Sequence, residues 1–66
     1  MLLDIVAAID LVAAGAARRV VLSCLPGVEA VAGAALSYAQ SMQVHFTIAR
    51  HGEADPPSVV VGPVEA

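Results

Sequence analysis

Lysine and tryptophan are absent from this 66-residue sequence, which also has one cysteine and only two aromatic residues, Tyr38 and Phe46. The three basic residues are all arginine, and the formal net charge is −3. The sequence therefore lacks the basic patch that nucleic-acid binding requires. Because Cys24 stands alone, an internal disulfide is excluded. No uncharged apolar run reaches the roughly 18 residues that a membrane-spanning helix needs.

Apolar residues are in excess instead. Hydrophobic residues make up 59% of the sequence and charged residues 14%, against roughly a quarter charged in ordinary domains. A chain this short buries only about 60% of its unfolded surface, so small domains commonly rely on disulfides, metals or partners. Zinc-type spacing is absent too, and we expect neither a metal nor a cofactor. The composition predicts self-association or a place in a larger assembly; alternatively, small Ala and Val side chains simply fill a small core.

The N-terminal run does not have the pattern of a signal peptide. It has no basic segment before the apolar stretch, and Asp4 and Asp10 interrupt it. A lone thiol is typical of a reducing compartment. We therefore expect a cytoplasmic protein.

Hydrophobic periodicity predicts a single α/β domain over residues 1–66, with two helices on a small, three-stranded mixed sheet in the order α-β-α-β-β. Three- and four-residue spacing predicts helices, and β-branched or alternating runs predict strands. Strand, helix and strand form a right-handed crossover, so the first two strands should be parallel neighbours or lie one strand apart, and the third should pair antiparallel with the second. The expected elements are helices at about Leu2–Ala17 and Gly27–Met42 and strands at Arg19–Cys24, Val44–Ala49 and Ser58–Gly62.

The second helix offers the candidate partner surface. Small residues permit close approach, and an apolar stripe along the helix includes Val28, Val31, Ala35, Tyr38 or Ala39, and Met42. Pro26 suits the first helical turn, and Glu29 suits the positive end of the helix dipole. We expect a protein partner, or a second copy, to contact this helix and an exposed strand edge, for which the valine-rich third strand is the candidate. The residues predicted to bind the partner are Val28, Val31, Ala32, Gly33, Ala35 and Tyr38.

A catalytic alternative concerns the loops after the first two strands. In open α/β sheets ligands collect at the carboxyl ends of parallel strands, which here brings Cys24 towards Arg50 and His51. A neighbouring imidazole or guanidinium and a helix N-terminus would activate the thiol for acyl or phosphoryl transfer. The other interpretation is that Cys24 is a small residue at a strand end. His45, on the polar side of its strand, is expected to be solvated.

The segment "FTIARHGEAD" resembles the histidine phosphatase signature, in which a strand leads into Arg-His-Gly-Glu. By position the resemblance implies that His51 takes the phosphoryl group and that Arg50 binds phosphate. Downstream of Gly52, however, this sequence contains no His, Arg or Lys. The groups that would stabilise the transition state are therefore missing.

A broader stretch, from about Leu3 to Arg50, is similar to the STAS domain of anti-sigma-factor antagonists. Gly27, Val28, Glu29 and Val31 fit the turn that opens its second helix, whereas the phosphorylatable residue would fall at Ala32 or Gly33. The resemblance implies a non-enzymatic interaction module without a phosphorylation switch. Together with the composition, it predicts a non-catalytic protein-protein interaction or assembly subunit.

Overall fold

The computed structural model describes residues 2–64. It contains two helices and three strands in the predicted order α-β-α-β-β. The elements are α1 (Leu2–Ala13), β1 (Val20–Leu22), α2 (Glu29–Ser41), β2 (Val44–Ala49) and β3 (Ser58–Pro63). Neither helix within this part of the chain is long and apolar enough to cross a membrane.

The first helix buries one stripe and ends earlier than predicted. Ile5, Ala8, Ile9 and Val12 face the core at the expected spacing. The helix stops at Ala13 rather than near Ala17, because Gly15 adopts φ +76°. The N–H of Ala16 then donates to the carbonyl of Leu11 (2.9 Å) and that of Gly15 to Val12 (3.1 Å), which is the Schellman pattern that terminates helices.

The second helix begins two residues later than predicted. Gly27 has φ +77°, which is incompatible with a right-handed helix, so Pro26 to Val28 form a preceding turn. Pro26 therefore lies outside the first helical turn. At the other end the N–H of Met42 donates to Tyr38 (3.0 Å), and Gln43, with φ 58°, turns the chain into β2. Met42, the last residue of the predicted apolar stripe, is exposed (39%).

The strands form a sheet in the order β1-β3-β2 in which both pairings are antiparallel. Because β1 and β2 both oppose β3, they run parallel to each other one strand apart, as predicted, and β3 pairs with β2, as predicted. The sheet is antiparallel rather than mixed, because β3 lies between the two parallel strands. The expectation that β3 supplies an exposed edge is wrong. Among the described residues, the two edge strands of the sheet are β1 and β2.

Both helices pack on one face of the sheet. The strand residues on that face lie in register across it, with Val61 opposite Val20 and Phe46, and Val59 opposite Leu22 and Ile48. The opposite face carries His45, Thr47 and Val21, which are exposed. The alternation predicted for β2 is confirmed. The buried core consists of Ile5, Ala8, Ile9, Val12, Val28, Ala35, Ala39, Val44, Phe46, Val59 and Val61.

Candidate functional site

The carboxyl ends of β1 and β2 lie at the same end of the sheet, because the two strands run in the same direction. The loop after β1 is tied to the segment before β3 by a hydrogen bond from the N–H of Leu25 to the carbonyl of Pro57 (3.0 Å). The sequence-based expectation that the loops containing Cys24 and His51 share this end of the sheet is therefore confirmed at the level of topology.

The side chains predicted for catalysis have other partners at this edge. The Arg50 guanidinium donates to Glu29 Oε1 at the start of α2. Nε2 of His51 lies 2.7 Å from Ser58 Oγ, and the two share a hydrogen bond. Cys24 is exposed, with φ 59°. The observed contacts of Arg50 and His51 thus join the loop to α2 and β3.

Arg50, His51, Gly52 and Glu53 line an open concavity of about 530 Å³. One of its four lining residues is a carboxylate, which opposes an anionic phosphoryl group. Within residues 2–64, no group of three or more His, Cys, Asp or Glu side chains is placed to bind a metal ion. Arg50, which the resemblance implies as the phosphate ligand, lines the same concavity as His51 and is paired with Glu29.

The carboxylate of Glu29 lies at the N-terminus of α2. The pKa of Glu29 is lowered, first by the backbone N–H hydrogen bond at the helix start and then by the hydrogen bond from Arg50. Glu29 therefore already occupies the positive end of the helix dipole with a carboxylate. This is the position that the sequence suggested for it.

The six residues predicted to bind a partner are placed very differently. Val28 and Ala35 are fully buried in the protein's own core (0% exposed). Val31, Ala32 and Tyr38 are half-buried, and Gly33 is exposed. The four accessible residues keep their predicted role as a hypothesis, whereas the two buried side chains face α1 and the sheet.

The longer free edge of the sheet is β2, and a groove runs beside it. This groove, here called the β2 groove, has a volume of about 750 Å³ and is lined by Leu36, Gln40, Gln43, Val44, His45, Phe46 and Val64. None of these lining residues is Asp, Glu, Lys or Arg. Leu36 is 44% exposed and Val64 is 61% exposed. Large apolar side chains therefore border the edge of β2 that does not pair with β3.

The other free edge is less suited to strand pairing. β1 has three residues, and the concavity between it and α1 has a volume of about 350 Å³. Its lining includes the exposed Leu11 and Val21, together with the carboxylate residue Asp4. Very short edge strands are among the devices that discourage pairing with another chain. Of the two edges, β2 offers the longer pairing surface.

The sequence analysis did not predict β2 as an edge strand, because it assigned the exposed edge of the sheet to β3. A signal was present: Val59, Val60 and Val61 are consecutive, and a strand that is apolar on both faces is typical of the interior of a sheet. β2, by contrast, alternates apolar and polar residues and contains neither lysine nor proline.

Comparison of the chain with models of protein families gives no match, and neither the curated proteins nor the solved structures include a match to it.

Proposed function

We propose that this protein is a non-catalytic protein-protein interaction or assembly subunit that accepts a protein strand at the free edge of β2. The observation that carries the proposal is that this edge lacks the charged residues and proline that discourage pairing with another strand. Every second residue of an edge strand directs its backbone N–H and C=O away from the sheet. Val44–Ala49 contains no Asp, Glu, Lys, Arg or Pro to oppose a further strand.

The β2 groove supplies side-chain contacts beside the backbone edge. In strand addition, main-chain hydrogen bonds give affinity and adjacent pockets bind alternate side chains of the added strand. Leu36 and Val64 are both accessible there. Burying their exposed surface would be favourable at about 25 cal/mol per Å² of apolar area. The partner proposed here is therefore a protein segment in extended conformation with apolar side chains on one face.

The resemblance to STAS domains supports the same class of function, since it implies an interaction module in which the start of the second helix meets a partner. In this chain the turn before α2 lies at the carboxyl end of β1, and Glu29 is paired with Arg50. A cytoplasmic setting agrees with the exposed, unpaired thiol of Cys24.

Two matched variants test the proposal. Leu36→Lys places a charge beside the β2 edge, and Leu11→Lys places the same charge on the β1 side at a leucine of similar exposure (44% and 47%). Lysine is a good helix former, so both variants should fold. The readouts are the native mass of each purified chain and the proteins that each immobilised chain retains from an extract.

We expect an association, with itself or with another protein, that survives Leu11→Lys and is lost in Leu36→Lys. A chain that stays monomeric, and retains no protein whose binding depends on Leu36, would contradict the proposal. In that case Cys24→Ala/His51→Ala and the unaltered chain should be compared for hydrolysis of p-nitrophenyl phosphate and p-nitrophenyl acetate, since the transferase alternative needs one of those two side chains.

A further inference from the structure

The proposed function leaves open which protein supplies the added strand. Resting on that function, we propose that the strand is β2 of a second copy of this chain, paired antiparallel about a twofold axis through the middle of β2. The product is a dimer with one continuous six-stranded sheet, in the order β1-β3-β2-β2-β3-β1.

Strand geometry favours β2 with β2 over the other pairings. Six residues at about 3.4 Å each give an edge of roughly 20 Å, and an antiparallel copy offers an identical set of unpaired groups over that length. Such an isologous contact closes after two copies. Pairing β2 with β1 would instead use a three-residue strand and would continue head to tail into a ring or an open filament.

The position of the helices is compatible with this dimer. Both helices lie on the same face of the sheet, and α2 is the one packed over β2. A twofold axis perpendicular to the sheet therefore places the two α2 helices side by side on one face. Leu36 and Gln40, which line the β2 groove, would then face their counterparts across the axis.

Each copy carries a net charge of −3, and the acidic residues of the described part of the chain lie outside the lining of the β2 groove. Among residues 2–64, those that line the β2 groove include no Asp, Glu, Lys or Arg. Asp4 and Asp10 lie on α1, and Glu29 is at the start of α2, beside Arg50. Two copies can therefore meet at β2 without bringing Asp4, Asp10 or Glu29 of one copy into the groove of the other, where like charges would repel.

The size of the molecule permits an interface of ordinary area. A stable interface covers about 800 Å² of each partner, which is about a fifth of the 4245 Å² surface of this chain. The molecule measures 34 × 20 × 19 Å. One of its long sides is therefore comparable in area to such an interface. The half-exposed Leu36 and the more exposed Val64 would be covered by the partner, which accounts for two of the large apolar side chains that the monomer leaves in solvent.

Thiol crosslinking of the full chain tests the axis directly. In a Cys24→Ser background, Gln40→Cys introduces one thiol beside β2 and Leu11→Cys introduces one beside β1. A short bis-maleimide should link two copies of Gln40→Cys and should link Leu11→Cys at least tenfold less. Amide hydrogen exchange over Val44–Ala49 should slow as the concentration of the unaltered chain rises, and Leu36→Lys should weaken dimerisation at least tenfold.

Three results would overturn this dimer. Efficient linkage of Leu11→Cys in place of Gln40→Cys would move the interface to the β1 side. A purified chain that is monomeric, yet binds another protein in a Leu36-dependent manner, would refute the dimer and leave the proposed function standing. Absence of both self-association and Leu36-dependent capture would refute the two proposals together.

Discussion

The hydroxyl of Tyr38 on α2 donates a hydrogen bond of 2.5 Å to Oδ1 of Asp10 on α1, across 28 positions of sequence. This bond joins the two helices at the surface, above the core that they share. The pKa of Tyr38 is raised, first by this hydrogen bond, which holds the phenol protonated, and then by burial and by the charge of Asp10.

Titration of the only tyrosine tests that contact. The phenol of Tyr38 should ionise above its ordinary value of 10.0, and Asp10→Asn should lower the midpoint. Because the pKa is raised in the folded state, this group's contribution to stability is present below pH 10 and is lost as the pH rises through the folded pKa. Absorbance at 295 nm reports the midpoint, and an unchanged midpoint in Asp10→Asn would show that the bond does not form in solution.

Glu29 gives the opposite pH dependence. Its pKa is lowered below the ordinary 4.5, first by the backbone N–H at the helix start and then by Arg50. Its contribution to stability is therefore present above pH 4.5 and is lost as the pH falls through the folded pKa. In a carboxyl titration followed by NMR, Arg50→Gln should raise the midpoint only partly. A full return to the unfolded value would mean that Arg50, rather than the helix start, is the main cause.

His51 and Ser58 allow a test of what the Arg-His-Gly-Glu segment does. The Ser58 residue is 4% exposed, so His51→Ala leaves a buried hydroxyl without its partner, at a cost of about 1–3 kcal/mol. His51→Ala/Ser58→Ala removes the hydroxyl as well and should be more stable than His51→Ala alone. Urea unfolding measures both variants. If the double variant is the less stable one, the hydrogen bond is not the reason for the loss.

Two glycines should respond in opposite directions to alanine. An added Cβ meets nothing within 4 Å at either Gly15 or Gly33. Gly15 has φ +76°, where an L-residue is strained by roughly 1–2 kcal/mol, so Gly15→Ala should destabilise. Gly33 lies inside α2, where Gly33→Ala should stabilise by about 0.5–1 kcal/mol. Both effects appear as shifts of the urea midpoint with an unchanged slope.

Gly33→Ala also bears on the predicted partner surface of α2. If this variant folds with the expected gain in stability but no longer associates, the exposed face of α2 around Gly33 belongs to the interface, because the added methyl contacts nothing within the monomer. Unchanged association would mean that the face of α2 around Gly33 lies outside the interface, and the β2 edge would remain the proposed surface.

The catalytic hypothesis shows how far sequence reasoning reached at the candidate site. It placed the loops of Cys24 and His51 at one end of the sheet, because parallel strands end on the same side. Side-chain pairing within that end was not predictable. Glu29 is 21 residues from Arg50, and Ser58 follows His51 by seven, so only the folded loop shows that these charged and polar groups pair with one another.

The partner surface shows the same limit on α2. The spacing of Val28 and Ala35 marks an apolar stripe, but an apolar stripe is equally suited to the protein's own core and to another chain. In the structure α1 and the sheet cover both residues completely. The exposed Leu36, which borders the β2 groove, is not part of that stripe.

By itself the sequence determined the kind and order of the five elements and the buried side of β2, because side-chain spacing along a helix or strand is a local property. It predicted the ends of α1 and α2 only approximately, because the positive φ angles of Gly15 and Gly27, which exclude both residues from the helices, are seen only in the folded chain. The tertiary structure alone decided that β3 lies between β1 and β2. Strand order depends on which hydrogen-bonded pairings bury the most apolar surface over the whole chain, and that choice left β2 as the long free edge.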